Sequence, residues 1–160
     1  MMTSAHWHLL LNHVPVLGTI FAALLLIVAL ILRNRTLVRT SLAVFVIAAL
    51  VTVPVYLTGE GAEEAIEGGP GIAAESVIEQ HESMGLIALI AVAVLGLLAL
   101  VALWSARGET AIPRWIGPSV LIVAIVVSGL FVWTATLGGQ INHPEIRGTP
   151  ATTQETSDED

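Results

Sequence analysis

The chain has 160 residues, of which 55% are hydrophobic and 12% charged, and its mean hydropathy is +0.85. A soluble domain carries about 25% charged residues, so a water-facing surface cannot be built from this composition. A cytosolic enzyme, a nucleic-acid binder and a disordered chain are excluded, and the class is polytopic membrane protein.

Four apolar blocks of spanning length follow one another along the chain. The first, 14–32, has nineteen residues, roughly 28 Å as a helix. No Lys or Arg precedes it, and Arg33, Arg35 and Arg39 follow, the pattern of a retained span rather than a cleaved leader. The second block is 40–57, with Pro54 near its end. Next comes an outer connection, 58–80, where Thr58-Gly59 is a helix stop. Within it, 61–67 has the composition of a short amphipathic turn, and 68–71, with Pro70, is a break. Ser76 and Glu79 have capping-box spacing, which predicts a third helix starting near Ser76. The third block is 83–105 and the fourth 115–137. Residues 1–150 form one domain, and the acidic segment 151–160 is predicted to be disordered.

Backbone groups in lipid must be satisfied within their own segment, which selects helices. Short connections then predict an all-α, up-down four-helix bundle. Gly18, Gly85, Gly96, Gly117, Ser128 and Gly129 suit close helix contact. Five of the six arginines fall in the first and third connections, and twelve of the thirteen acids fall on the other side with Arg147. The positive-inside rule therefore predicts a multi-pass protein of the plasma (inner) membrane with both termini extracytoplasmic. Trp104 and Trp115 mark the inner boundary; Trp7, Tyr56 and Trp133 mark the outer one.

The spans hold no Asp, Glu, Lys, Arg or His, which argues against a pump, an ion-coupled transporter or a voltage sensor. Thr19, Thr52, Ser128 and Thr134 are the main interior polar groups, each expected to bond the preceding backbone turn. With no cysteine in the chain, thiolate metal sites, covalent haem attachment and cysteine nucleophiles are excluded. No nucleophile–base pair and no His-Glu-x-x-His motif is present, so no stand-alone catalytic activity is expected.

All five histidines, His6, His8, His13, His81 and His143, lie on the outer side, among Glu60, Glu63, Glu64, Glu79, Glu82 and Glu145. Two chemistries fit. Haem b takes axial imidazoles from facing helices and needs an apolar pocket. His13 and His81 are the candidate ligands, with His8 or His143 as a supporting or alternative ligand and Gly18 and Gly85 making room for the ring. A divalent transition metal instead wants three or four ligands, which His8, His13, His81, Glu82 and His143 can supply. The inner side has no histidine, so a centre here exchanges electrons with a periplasmic carrier or a quinone and not with the cytoplasm. The leading expectation is a haem-b-binding or redox accessory subunit of a respiratory assembly, and the remaining alternative is a cofactor-free structural or assembly partner packed against other membrane subunits. Side chains give the outer side a net charge of −11. Such a field steers a basic soluble partner, or simply marks a loop kept free of positive charge. Calcium binding by Glu60, Glu63, Glu64 and Glu67 lacks the EF-hand pattern.

His13-Val14-Pro15 opening the first span, Thr58-Gly59 closing the second, and Glu79-x-His81 with Gly85 opening the third resemble the bacterial predicted-membrane-protein family called domain of unknown function 2231. The likeness covers residues 8 to 105. It implies four spans with histidines at their outer ends, and a redox setting, because some members are joined to c-type cytochrome modules. It strengthens the haem or metal expectation for His13 and His81.

Overall fold

A computed structural model of the chain describes residues 2–65, 73–106 and 113–147. Glu67, the 68–71 break, Arg107, Glu109 and the 151–160 tail lie outside the described residues. The elements are α1 (Ser4–Leu11), α2 (His13–Ile31), α3 (Arg35–Leu57), α4 (Gly59–Glu63), α5 (Glu75–Ser105), α6 (Ile116–Asn142) and a 3₁₀ turn, Pro144–Ile146. Among the described residues, four helical stretches are long and apolar enough to cross a membrane: Ser4–Ile31, Arg35–Leu57, Glu75–Ser105 and Ile116–Asn142. The protein is an all-α membrane four-helix bundle.

The first span starts earlier than its apolar run, because α1 leads into α2 through Asn12, whose backbone stays in the helical region. Pro15 sits three residues beyond Asn12. It has no N–H to give the Leu11 carbonyl and its ring crowds that carbonyl, which places the break in the helix at this turn. The third span also starts early, at Glu75. The capping box does not form: Ala74 is the N-cap residue and no side chain caps the helix. Ser76 lies one residue inside the helix, where its hydroxyl cannot take the N-cap role. At 31 residues, α5 is roughly 46 Å long and overshoots a hydrocarbon core of about 30 Å.

The turn between α2 and α3 is built by two signals in sequence. Asn34 N–H donates to Ala29 O at 2.9 Å and Arg33 N–H to Leu30 O at 3.3 Å, the pairing of a Schellman stop. Arg33 takes the left-handed φ of 51° that this stop demands, a conformation costing a non-glycine residue about 1–2 kcal/mol. Asn34 Oδ1 then accepts from Thr36 N–H at 3.0 Å and Leu37 N–H at 3.1 Å, capping α3. The two helices are thereby forced antiparallel.

Helix α2 packs on α3 and α6, and α5 packs on the same two helices, so α2 and α5 stand on one diagonal of the bundle. The core is a stack of Ala22, Leu26, Leu42, Phe45, Val92, Leu95, Ala124 and Val127. The opposite face of α2 presents Leu17, Phe21, Leu24, Val28 and Ile31 outward. A helix apolar on every side belongs in lipid. Lipid is as apolar as leucine, so fit between helices holds the bundle rather than escape from water. Gly96 shows how tight that fit is: a Cβ there would stand 2.5 Å from the Ala49 Cβ.

Gly96→Ala should therefore push α3 and α5 apart and destabilise the bundle by about 1–3 kcal/mol. Gly129→Ala meets nothing within 4 Å and should be neutral or stabilising by up to about 1 kcal/mol, the helix preference of alanine. Thermal unfolding of the two variants in one detergent, followed by circular dichroism, separates them.

Candidate functional site

The histidines divide into two that turn inward and three that do not. On α1–α2 the helical repeat decides. His8, Asn12, Pro15 and Thr19 follow steps of four, three and four residues, which keeps them within roughly 60° of one another around the axis. His8 and Asn12 are half-buried, and Pro15 and Thr19 are buried. His13 lies five residues past His8, roughly 140° around the helix, and is exposed. His6 is exposed and pairs locally, its Nδ1 2.7 Å from Thr3 Oγ1. His143 caps α6 and is exposed, its Nδ1 2.8 Å from Glu145 Oε1.

His8 reaches across to α3, where its Nδ1 lies 2.9 Å from the Val55 carbonyl oxygen. Thr58 Oγ1 donates to the same oxygen at 3.0 Å. A second imidazole is held in the same manner on the other side of the bundle. His81 Nδ1 lies 3.0 Å from the Thr134 carbonyl oxygen of α6. A carbonyl only accepts, so each Nδ1 donates its proton, and in that neutral tautomer Nε2 carries the lone pair. Neither Nε2 has a hydrogen-bond partner among the described residues. His8 belongs to the first span and His81 to the third, both toward the same end of the bundle.

The His81 position depends on a missing side chain. A Cβ on Gly138 would stand 2.9 Å from His81 Cε1 and 3.3 Å from its Nδ1, so the ring lies against bare α6 backbone. Gly59 gives His8 a looser seat, 3.8 Å from its Cε1. Gly85 follows His81 by one turn, and a Cβ there would meet only Tyr56, at 3.9 Å; a Cβ on Gly18 would meet nothing within 4 Å. Both positions thus leave room near the histidine end.

Among the described residues, no three His, Asp or Glu side chains come together as a metal-holding group. His13, Glu82 and His143 are exposed. Glu60, Glu63 and Glu64 lie in and just after α4, beside α1.

Two further polar groups belong to this end of α2. Asn12 Oδ1 and Thr19 Oγ1 are buried without a hydrogen-bond partner, each at a cost of about 1–3 kcal/mol if nothing else satisfies it. Thr52, Ser128 and Thr134 bond the turn before them as expected, at 2.8, 2.8 and 2.9 Å. Thr19 departs from that expectation. Its spacing from His8 and Asn12 was the signal in the sequence that marks it; residue type alone hides it. Gly138 carried no such signal, because its role comes from a helix more than fifty residues away.

Comparison of the chain with models of protein families, with curated proteins and with solved structures gives no match in any of the three.

Gly138→Ala should drive the His81 ring off the Thr134 carbonyl, losing about 1 kcal/mol and moving the His81 ¹⁵N resonances. Gly139→Ala, whose Cβ would meet only Ile146 Cδ1 at 3.4 Å, should leave them in place. At the exposed end, the Glu145 carboxyl is held below the usual carboxylate range, first by its own backbone N–H and then by His143. The sign follows: this pairing favours the folded turn above the ordinary glutamate pKa and fades as pH falls through the lowered value. In a ¹³C titration, His143→Ala should raise the Glu145 midpoint only part of the way, since the backbone contribution remains.

Proposed function

We propose that the histidine end of the bundle holds haem b between His8 and His81, and that the protein is a redox accessory subunit of a membrane complex. One observation carries the reading: two imidazoles on different helices, each anchored through Nδ1–H to a helix carbonyl, each with no Nε2 partner among the described residues. Metal-ligating histidines are held in this way, because the second hydrogen bond fixes the tautomer and strengthens the ligating nitrogen. The donor set fits haem better than a bare ion. A porphyrin brings four of the six iron ligands itself and asks the protein for two, whereas a closed zinc site asks for four. The surrounding bundle is apolar, as a porphyrin requires, and haem supplies one-electron chemistry. The arginine distribution supports placing this end on the extracytoplasmic side, within reach of a periplasmic carrier or a quinone.

Relative to the sequence expectation, the ligand on the first span moves from His13 to His8. The helical repeat is the reason, since only one of the two faces inward. A cofactor-free scaffold is the second reading. It is favoured by the same hydrogen bonds, which tie α1 to α3 and α5 to α6 whether or not anything is bound.

Purified with haem supplied, the protein should show a sharp Soret band, and split visible bands on reduction. His8→Ala and His81→Ala should each abolish the low-spin spectrum, while His13→Ala and His143→Ala keep it. A colourless protein whose two inward variants lose only thermal stability supports the scaffold instead.

A further inference from the structure

The end of the bundle away from the histidines is rich in cations. The first and third connections hold Arg33, Arg35, Arg39, Arg107 and Arg114 against one acid, Glu109, a side-chain charge of +4. Arg39 is committed: it donates to the Ala106 carbonyl at the end of α5. Arg33, Arg35 and Arg114 are exposed, and their side chains have no hydrogen bond or ion pair among the described residues.

The fold brings two of these three to one place. Helix α2 packs on α6, and their contact at this end is close: a Cβ on the buried Gly117 would stand 2.7 Å from Leu30 Cδ2. Arg33 follows Leu30 by three residues, and Arg114 precedes Gly117 by three. Both side chains therefore leave the backbone just beyond the same helix contact. Arg33 carries a further sign. It holds the left-handed φ of 51° in its turn, where glycine is the relaxed residue. The turn alone does not account for an arginine there, and strain of this kind points to a use for the side chain.

We infer that Arg33 and Arg114 clamp the headgroup phosphate of an anionic phospholipid at the foot of the α2–α6 seam. A guanidinium is a planar fork that matches phosphate oxygens two at a time, and basic sites between membrane helices take up lipid headgroups. The surroundings select a lipid over a free anion. Trp115, next to Arg114, and Trp104 at the end of α5 are exposed, and indole rings settle at headgroup level. Just inward of the arginines, Val28 and Ile31 of α2 and Ile122 of α6 present apolar side chains outward, at the depth where acyl chains lie. An anionic headgroup neutralises the arginine pair, whereas phosphatidylcholine brings a cation of its own to the same place. The site is at the opposite end from His8 and His81 and does not rest on the haem reading.

The test uses the full chain reconstituted with equal amounts of phosphatidylglycerol and phosphatidylcholine, and native mass spectrometry of the lipid that stays bound. The unaltered protein should retain phosphatidylglycerol several-fold over phosphatidylcholine. Arg33→Gly and Arg114→Gln should each bring that preference close to parity, whereas Arg35→Gln should keep most of it. In phosphatidylcholine alone, Arg33→Gly should melt at the same temperature or higher, because glycine relaxes the turn, which separates lost lipid from lost fold. No preference in the unaltered protein would overturn the inference. So would an equal loss in all three variants, which marks diffuse surface charge, or displacement of phosphatidylglycerol by inorganic phosphate, which marks a free-anion site.

Discussion

Within lipid a polar group has no water to fall back on, and this governs where each hydrogen bond in the bundle goes. The hydroxyls of Ser41, Thr52, Ser128 and Thr134 turn back on their own helices. Helix ends present carbonyls with few backbone N–H partners, and side chains from elsewhere serve them, the Ile141 carbonyl also taking the Ala73 N–H at 3.0 Å. Arg39 of α3 donates to the Ala106 carbonyl at the end of α5. Arg147 donates to the Gln140 and Ile141 carbonyls at the end of α6. His8 does the same for α3. Positive or protonatable groups at carbonyl ends also match the helix dipole. His81 differs in bonding a carbonyl about two turns inside α6, which the glycine at 138 makes possible.

The same constraint produces a chemical asymmetry. A histidine recruited to hold a carbonyl spends Nδ1 on it and is left with a basic nitrogen facing the other way. Two such recruitments at one end of the bundle create a pair of oriented donors at no additional structural cost. The proposed cofactor site is thus a by-product of how helix ends are closed, and Pro15 sets where the first of the two rings points.

Much of this was legible in the residues. Block lengths and hydropathy specify the four spans. The buried stripe of α2 follows from the helical repeat once His8 is taken as part of the helix. That step was hidden because α1 is not part of the apolar run, and an apolar boundary at residue 14 made His13 look like the residue at the mouth. Ser76 with Glu79 imitates a capping box, but the helix begins two residues too early for it. The convergence of His8 with His81 could be expected only at the level of depth in the bundle. Azimuth depends on packing between distant helices, and a single sequence does not encode that in any local pattern. Gly138 is the clearest case, since its function is to be a flat wall for a ring contributed from another span.

The bend at Asn12 also sets how firmly each half of the pair is fixed. His81 rides on the longest helix of the bundle, whose lower turns are locked into the core. His8 rides on an eight-residue segment with no buried residue of its own, leaning on α3 and α4 beyond the turn that Pro15 weakens. Local opening follows the least-buried unit, so the amino-terminal arm lifts first and carries one imidazole with it while the other stays put. The four-helix body beneath is left undisturbed by that opening.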